Sequence, residues 1–503
     1  MTGARHLSVL SSPMRQSTFV ATGELEAEAA ALFAAGFRLA LVAGHDDGHR
    51  LRAVYVFVAG TPDRRVELQV CLDPAHPTVA SLARQPFPAS RFEREMHDLF
   101  GIEPTGHPFL RPLVLHQHWP AGWHPLRHDA GEPPPMRAGA EPFPFVAVEG
   151  PGVYEIPVGP VHAGLIEPGH FRFSVVGETI LKMKARLWFL HRGIEKLFEG
   201  RDVADGVVLA ERISGDSAVS HNLAYCLAVE DACRIEMPEE ASRLRALVLE
   251  LERIYNHVTD IGALCNDVGY GIAQARALTL REQLLRLNSQ VTGHRLLRGA
   301  VRPGATSLRR LPTDAELTEI ASRFQELVGL ATSNSVVMDR FKGTAVLSRS
   351  DAAAIGTLGV VARGSGLAVD ARSTQPFADL GGDLRVVVED AGDVLARFRV
   401  RVQEVGDSLR LVTALAGTAH RLELTSMSGT LRGASGLGIV EGWRGTIVHR
   451  VEIDGSGRLT RCKVVDPSFL NWPALSIALA DTIVPDFPLV NKSFNLSYAG
   501  NDL

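Results

Sequence analysis

A proline-rich stretch at residues 131–148 constrains the architecture of the chain more than any other feature. Three successive prolines follow Glu132, and two further prolines come shortly after them. Proline lacks the backbone donor and favours an extended path, so neither a helix nor a central strand can continue through this stretch. A chain of 503 residues also exceeds the ~250–300 residues at which single cores stop growing. We therefore predict a domain at 1–130, a linker at 131–148 and a second domain at 149–503.

The segment before the linker has the pattern of a small α+β domain. Apolar residues at helical spacing, ended by Gly36, predict a helix over 24–35. Two runs at 52–59 and 65–72 alternate in β-branched and aromatic residues, and a Gly-Thr-Pro-Asp turn joins them. This pattern indicates a β-hairpin.

The segment after the linker is mainly helical in its pattern. Apolar stripes at steps of three and four residues predict helices over 180–197 and 244–261. A capping box at Thr313 opens a further helix, and 390–416 also has a helical pattern, whereas 371–389 mixes loop and strand. The predicted fold class is α+β, with a small α+β domain followed by a helical bundle that carries peripheral β elements.

Charge and hydropathy exclude several kinds of partner. The net charge of −5 gives no electrostatic reason to bind nucleic acid. Residues 1–19 contain no long apolar run of the signal-peptide kind, and no stretch reaches the ~18–20 apolar residues that span a bilayer. We therefore expect a cytoplasmic protein whose membrane association depends on partner subunits.

Two distant segments each carry a pair of small residues three positions apart. Ser214 and Ser217 precede His221 in a segment that resembles the first metal-binding motif of nickel–iron hydrogenase large subunits, and Ser497 and Gly500 lie in one that resembles the second. That family has cysteine pairs at these four positions. A serine hydroxyl stays protonated and binds nickel and iron poorly, whereas a thiolate binds both well. The resemblance therefore implies a hydrogenase-like subunit without its nickel–iron centre.

A glycine- and proline-rich segment at 157–172 places His162, Glu167 and His170 close together. By its residues alone it is a rigid polar loop under a buried site, or a β-hairpin with exposed polar tips. It resembles large subunits of the energy-converting nickel–iron hydrogenases and the 49-kDa-type subunit of respiratory complex I. In hydrogenases a glutamate of this loop passes protons, and Glu167 matches it. The segment around Arg444 resembles the hydrogenase stretch that holds an arginine over the metals.

These segments predict one polar site in the second domain. The resemblance implies that Glu167, His221 and Arg444 handle protons there. Complex I relatives have a quinone-binding tyrosine at the position that matches Gly215, which is a departure from the quinone-binding pattern. The site either binds a small ligand, relays protons, or is a relic cavity filled with water. Its other predicted members are His162, His170, Ser214, Gly215, Asp216, Ser217, Ser497 and Gly500.

Two further motifs remain. Charged residues and turns at 92–111 indicate a surface that docks another chain, or a solvated helix with a turn. This string resembles the signature of the 30-kDa-type subunit of complex I.

The glycine-rich run at 433–438 lacks the spacing of a dinucleotide site and favours a glycine-rich loop. NAD binding is therefore an expectation at the level of the family alone.

The resemblance covers nearly the whole chain, which is identified as a relative of group 4 hydrogenase large subunits of the formate hydrogenlyase and hydrogenase-4 type, similar to those members that lack the four metal-binding cysteines. It implies an oxidoreductase complex on the inner face of the cell membrane. Its partners would be a small iron–sulfur subunit and antiporter-like and quinone-channel-like membrane subunits. Electrons would come from the partner's cluster, and quinone is a possible cofactor. The alternatives are a structural or coupling module without redox chemistry, an NADH-quinone oxidoreductase-type subunit, and a hydrogenase with unusual ligands.

Overall fold

The computed structural model describes residues 14–139, 143–162, 166–381, 384–425 and 434–503. The first part forms a four-stranded sheet with two helices. Its elements are β1 (Met14–Phe19), α1 (Leu25–Ala34), β2 (Arg38–Asp46), β3 (Leu51–Ala59), β4 (Arg64–Leu72), β5 (Thr78–Ala80), α2 (Phe87–Phe100) and β6 (Glu103–Thr105). The strand order is β1-β4-β3-β2, in which β1 and β4 are parallel and the other pairs antiparallel. The predicted helix and hairpin are both confirmed.

Helix α2 packs inside the molecule instead of forming a docking surface for another chain. The ring of Phe92 stacks on Phe469 of the second part, with 4.9 Å between ring centroids. The carboxylate of Glu95 accepts hydrogen bonds from Lys463 Nζ at 2.8 and 2.7 Å. Both alternatives for 92–111, a docking surface and a solvated helix, are therefore wrong for the part within α2, because most of its side chains are buried within the chain. Docking of another chain at the partly exposed 103–111 stays a prediction.

The predicted linker is partly attached to the second part. Residues 140–142 lie outside the described residues, and no helix or strand forms in the rest of 131–148. The ring centroid of Phe145 lies 4.5 Å from the guanidinium carbon of Arg172. Lys184 Nζ donates a hydrogen bond to the carbonyl of Val146 at 3.0 Å. These contacts fix the path of the chain after the prolines, while the domain boundaries themselves stay a prediction.

The second part begins with a three-stranded antiparallel sheet and continues into a helical bundle. Its first elements are β7 (Val153–Val158), β8 (His170–Val176), β9 (Thr179–Arg186), α3 (Ile194–Phe198), α4 (Val203–Ala210), α5 (Ala218–Cys233), α6 (Glu239–Asp267), α7 (Gly271–Thr292), β10 (Val301–Arg302) and β11 (Ala305–Ser307). The long helix predicted at 244–261 is confirmed as part of α6. No helix is long and apolar enough to cross a membrane in the parts of the chain that the structure describes.

The remaining elements complete the bundle and a second antiparallel sheet. They are α8 (Asp314–Ser333), α9 (Ser335–Phe341), α10 (Arg349–Ile355), α11 (Gly359–Gly364), α12 (Ala371–Thr374), α13 (Val394–Thr418), β12 (Glu423–Thr425), β13 (Ala434–Gly442), β14 (Gly445–Ile453), β15 (Leu459–Val465), α14 (Pro467–Ala478), α15 (Phe487–Phe494) and α16 (Tyr498–Asp502). The capping box at Thr313 is confirmed. The structure confirms the mixed α+β class and a bundle with peripheral strands.

The helix predicted over 180–197 is wrong. The first half of this segment is strand β9, which pairs with β8, and only Ile194–Phe198 is helical. Between them the backbone at Trp188 and Gly193 has positive φ, which ends any continuous helix. Strand pairing with β8 overrides the local apolar spacing here. The strand expected within 371–389 is likewise absent from the described part of that segment, which begins with the short helix α12.

The glycine-rich segment is a strand and not a loop. Gly436 and Gly438 lie in β13, which packs directly on α5, while 426–433 lie outside the described residues. A Cβ atom at Gly436 or Gly438 would lie 1.9 Å from a backbone carbonyl oxygen of α5. The glycines therefore let a strand and a helix approach closely, and this contact places the turn between β13 and β14 beside the N-terminus of α5.

Candidate functional site

A cavity of about 690 Å³ lies where the β7–β8 loop, the segment before α5, the β13–β14 turn and the C-terminal segment meet. Most of the predicted site residues line it, although they come from four distant parts of the sequence. Those at its wall are His162, Glu167, Ser214, Gly215, Asp216, Arg444 and Ser497. The sequence-based prediction of one polar site thus corresponds to one cavity, while the roles of its residues stay predictions.

Helix α5 is fixed at its N-terminus by a buried carboxylate of α6. Glu252 accepts hydrogen bonds from the backbone N–H groups of Val219 at 2.7 Å and Ser220 at 3.0 Å. Burial raises the pKa of Glu252 to about 7, although these hydrogen bonds and one from the Ser220 hydroxyl lower it. Because the first turn of α5 is held in this way, Ser217 and His221 have defined positions beside the cavity.

The two segments that resemble the hydrogenase metal-binding motifs contact each other through Ser214 and Ser497. The hydroxyls of Ser214 and Ser497 are 2.9 Å apart, and Ser214 also donates to Asp216 Oδ1 at 2.9 Å. Ser497 caps α16 by accepting from the backbone N–H of Gly500 at 2.8 Å. Its own N–H donates to the hydroxyl of Ser468 at 2.9 Å. Both serines are therefore engaged within the chain, and their side chains form part of one hydrogen-bonded wall.

The second part of this wall is a bidentate ion pair. Both terminal nitrogens of Arg444 donate to the Asp216 carboxylate at 2.6 Å, and Arg444 Nε donates to the carbonyl of Asn495 at 2.6 Å. The guanidinium carbon lies 3.9 Å from the ring centroid of Trp443. Burial raises the pKa of Asp216, but the charge and hydrogen bonds of Arg444 outweigh this and hold it below its usual value. The charge of Arg444 is therefore neutralised by Asp216 at the cavity wall, while its predicted role stays a prediction.

His221 lies behind the wall and not in it. Its Nε2 is 3.0 Å from Asp466 Oδ2, its Nδ1 is 3.1 Å from His449 Nε2, and its side chain is fully buried. Burial alone would raise the pKa of Asp466, yet the hydrogen bond and charge of His221 hold it below its usual value. Burial also keeps the pKa of His449 well below its usual value, and the charge of His221 adds to this. Neither Asp466 nor His449 was predicted from the sequence.

Three other predicted residues do not line the cavity. Ser217 is buried and accepts a hydrogen bond from Trp443 Nε1 at 3.1 Å. Gly500 is buried against Asp466, and a Cβ atom at this glycine would lie 2.5 Å from the Asp466 carboxyl carbon. His170 Nδ1 is 3.1 Å from the carbonyl oxygen of Gly159, within the hairpin. These residues support the wall from behind.

The β7–β8 loop supplies the remaining predicted groups. Glu167 is partly exposed, and its Oε2 accepts a hydrogen bond from the backbone N–H of Ala499 at 3.1 Å. His162 Nε2 is 2.8 Å from the carbonyl oxygen of Gly169. Residues 163–165 of this loop lie outside the described residues. The contact of Glu167 with the backbone of Ala499 joins this loop to the segment that resembles the second metal-binding motif. Strands β7 and β8 form a hairpin, as one of the two alternatives for 157–172 proposed, while the polar tip lies outside the described residues.

Several residues of the cavity carried no signal in the sequence. Asp267 ends α6, and Asn491 and Lys492 lie in α15, so no motif links them to the serines. Tyr498 directly follows Ser497, and this position was the one available indication of it. An apolar side of the cavity was also missed, and it contains Val158, Ile166, Phe171, Phe487, Pro488 and Leu496.

Three protein-family models match successive parts of the chain. The model of the respiratory-chain NADH dehydrogenase 30 Kd subunit matches residues 20–134. The nickel-dependent hydrogenase model matches 192–265, and that of the respiratory-chain NADH dehydrogenase 49 Kd subunit matches 267–427. The chain therefore combines sequence features of complex I subunits with those of hydrogenases.

Two curated relatives of Escherichia coli (strain K12) are similar over most of their length. Hydrogenase-4 component G is 33% identical over 421 residues, which cover 82% of this chain and 73% of that protein. Formate hydrogenlyase subunit 5 is 31% identical over 425 residues, covering 82% of this chain and 74% of that protein. Among solved structures, a chain of the archaeal membrane-bound sulfane sulfur reductase matches with a TM-score of 0.63 and 25% identity. That match covers 70% of this chain and 99% of the other.

Proposed function

Since the chain belongs to the family of group 4 hydrogenase-related large subunits with fused 30-kDa and 49-kDa complex I-like domains, we propose that it is a peripheral subunit of a membrane-associated oxidoreductase complex. The family consists of oxidoreductase subunits. The proposed partners are a small iron–sulfur subunit, which delivers electrons, and antiporter-like and quinone-channel-like membrane subunits. The proposed location is the inner face of the cell membrane.

We propose further that the site works without a nickel–iron centre. This proposal rests on the side chains at the four positions where hydrogenase large subunits have metal-binding cysteines. Three of them have serine hydroxyls that are already hydrogen-bonded to Asp216, Trp443 and one another. The fourth is Gly500, where the carboxylate of Asp466 leaves no room for any side chain. Protonated hydroxyls are poor ligands for nickel and iron, so this donor set does not fit the group.

What the site retains is the capacity to hold protons beside a cavity. Glu167 faces the cavity, and the His221–Asp466 pair lies directly behind the serine wall. Carboxylates and imidazoles are the groups that transfer protons near neutral pH. The proposed role is to couple electron transfer in the partner subunits to proton or ion movement, through changes in the protonation of these groups.

Two other functions compete with this role. A structural module without chemistry of its own would use the same ion pairs to hold its domains together. A pocket for quinone or another small molecule, as in NADH-quinone oxidoreductase-type subunits, is favoured by the apolar side of the cavity. The second candidate is compatible with proton handling, whereas the first is not.

The test is made on the purified complex reconstituted in vesicles. Glu167→Gln removes the proton-binding carboxylate with little change of shape, and we expect at least about a tenfold loss of ion translocation driven by electron transfer. Glu178→Gln is the matched control, because Glu178 is exposed in the β8–β9 turn and should have no effect. Unchanged translocation in Glu167→Gln would favour the structural module. Nickel in stoichiometric amount would overturn the proposal about the metal.

A further inference from the structure

A cluster of buried charges lies behind the turn between β13 and β14, and none of its members lines the cavity. They are linked to one another by salt bridges and each is at most 7% exposed; they are Glu250, Asp370, Glu404, Glu441, Arg253, Arg363 and Arg372. Four carboxylates therefore face three guanidinium groups. An uncompensated charge inside a protein is costly, so this composition favours the binding of one proton.

Two nearby basic groups do not supply the missing positive charge. His257 Nε2 is 2.8 Å from Glu404 Oε2, but burial lowers the pKa of His257 more than this contact raises it. Arg38 of β2 faces Glu441, yet it forms no salt bridge with it within the described residues, and burial lowers its own pKa. The other charged neighbours are already paired with each other; they are Arg401 and Asp260.

The four carboxyl groups differ in their ability to hold the proton. Burial by itself would raise the pKa of three of them, but guanidinium groups of the cluster outweigh burial and hold these values below the usual range; the three are Glu250, Asp370 and Glu404. Glu441 is different, because burial and the charge of Asp370 both raise its pKa, and Arg363 opposes them only in part. Glu441 is therefore the member of the cluster that gains most from a proton.

The surroundings of the Glu441 carboxyl group provide an acceptor for that proton. Its Oε1 accepts a hydrogen bond from Arg363 Nη1 at 2.7 Å, and its Oε2 accepts one from the backbone N–H of Ala371 at 3.0 Å. Oε2 also lies 2.8 Å from the hydroxyl oxygen of Thr446. A threonine hydroxyl can accept a hydrogen bond as well as donate one, so Oε2 can carry the proton and donate it to Thr446.

Glu441 also lies at the base of the turn that carries Arg444. Arg253 donates hydrogen bonds to the backbone carbonyls of Glu441 at 2.7 Å and Gly442 at 3.1 Å. On the other side of the turn, a Cβ atom at Gly359 would lie 1.9 Å from the carbonyl oxygen of Arg444. Helices α6 and α11 therefore hold this turn in place, and the Glu441 carboxyl group is fixed three residues before the arginine of the cavity wall.

We propose that Glu441 is a second proton-binding site of this chain, which is protonated at neutral pH and donates that proton to the hydroxyl of Thr446. The proton offsets the excess negative charge of the buried cluster. This site is separate from the proton-handling groups proposed at the cavity, since neither Glu441 nor Thr446 lines it. The inference goes beyond the proposed function, because the state of Glu441 does not depend on whether Glu167 transfers protons.

Infrared spectroscopy of the purified full chain at neutral pH tests this directly, because a protonated carboxyl group has a C=O stretch apart from those of carboxylates and amides. Glu441→Gln should remove one component of that band. Glu67→Gln is the matched control, since Glu67 is buried but ionised beside Arg450 and should leave the band unchanged.

Thr446→Val then locates the proton. It keeps the shape of the side chain but removes the acceptor, so the same component should shift to higher frequency. Its matched control is Thr357→Val, because Thr357 is equally buried and its hydroxyl donates to the carbonyl of Ala352, away from any carboxyl group.

An unchanged band in Glu441→Gln overturns the proposal, because Glu441 and its cluster then hold no proton. A component that Glu441→Gln removes but Thr446→Val does not shift lies on another member of the cluster, which overturns it as well. If Glu441→Gln does not fold, the comparison of Thr446→Val with Thr357→Val decides alone. Unchanged translocation in Glu167→Gln would count against the proposed function and leave this inference standing.

Discussion

Glu252 should make the folded chain less stable as the pH rises from about 5 to about 8. Its carboxyl group is buried in α6 and accepts hydrogen bonds at the start of α5. Burial raises its pKa to about 7 against an ordinary value of 4.5. Between these two values the folded protein holds a proton that the unfolded chain has released. The free energy of unfolding must therefore fall across this interval.

The size of the effect follows from the pKa difference. Each pKa unit corresponds to about 1.4 kcal/mol, so the ionised Glu252 lowers the free energy of unfolding by about 3 kcal/mol above pH 7. Glu252→Gln keeps an acceptor for the backbone of α5 but does not titrate. We expect the variant to gain about 3 kcal/mol relative to the wild type between about pH 5 and about pH 8.

Urea unfolding followed by tryptophan fluorescence measures this difference at each pH. Glu250→Gln is the matched control, because Glu250 is buried two residues earlier on the same helix. Burial raises the pKa of Glu250, but the charges of Arg253 and Arg372 hold it below its usual value. The ionised Glu250 carboxylate stabilises the folded chain at every pH above the pKa that it has in the unfolded chain. This stabilisation is lost only as the pH falls through the lower pKa that it has in the folded chain.

The two variants should therefore behave differently. Glu250→Gln should lose about 1.5–3 kcal/mol at every pH of the window, since it removes the carboxylate that the buried Arg253 and Arg372 share, while Arg253 keeps Glu404 and Arg372 keeps Asp370 as partners. The difference in free energy of unfolding between Glu252→Gln and the wild type should change with pH. The corresponding difference for Glu250→Gln should stay constant. If the difference between Glu252→Gln and the wild type does not depend on pH, the three hydrogen bonds to Glu252 cancel the effect of burial on its pKa. That result would refute the reasoning.

Two further substitutions test the packing around the site and the contact between the domains. Gly500→Cys should lower the free energy of unfolding by about 1–3 kcal/mol, because its Cβ atom would overlap the Asp466 carboxylate. Urea unfolding measures this loss. The variant should also bind no nickel, which elemental analysis checks. Lys463→Met should cost about 3–5 kcal/mol, because it leaves the buried carboxylates of Glu95 and Glu195 without their shared ammonium group, and the same unfolding assay measures it.

The parts of the fold that were predictable from sequence are those fixed by local signals. The cap at Thr313 and the long stripe of α6 each lie within one helix, so neighbouring residues determine them. The segment at 180–197 has an equally regular stripe, yet it forms β9 because β8 supplies the strand partner. Apolar spacing by itself does not contain that information. The glycines of β13 were misread for the same reason, since α5 is the neighbour that requires them.

The site shows the same division between local and distant information. Motif resemblance found the serines, Glu167 and Arg444, because each lies in a recognisable string. Asp466 and His449 lie in no such string. His449 reaches His221 through the packing of β14 on α5, and Asp466 reaches it from the position just before α14. Their identity depends on contacts between residues more than 200 positions apart. No pattern in the sequence links such residues before the fold is known.

The hydrogen bonds of the wall are consistent with our proposal that this site stays folded without a nickel–iron centre. A metal site that merely lost its cysteines would leave buried polar groups competing for water. Here Ser214 and Ser497 bind each other, Asp216 binds Arg444, and Asp466 fills the space at Gly500 while it pairs with His221. Each pair satisfies its own charges and hydrogen bonds. Glu167 is partly exposed and faces the cavity, so the proton handling that we propose for this site would reach solvent through that carboxylate.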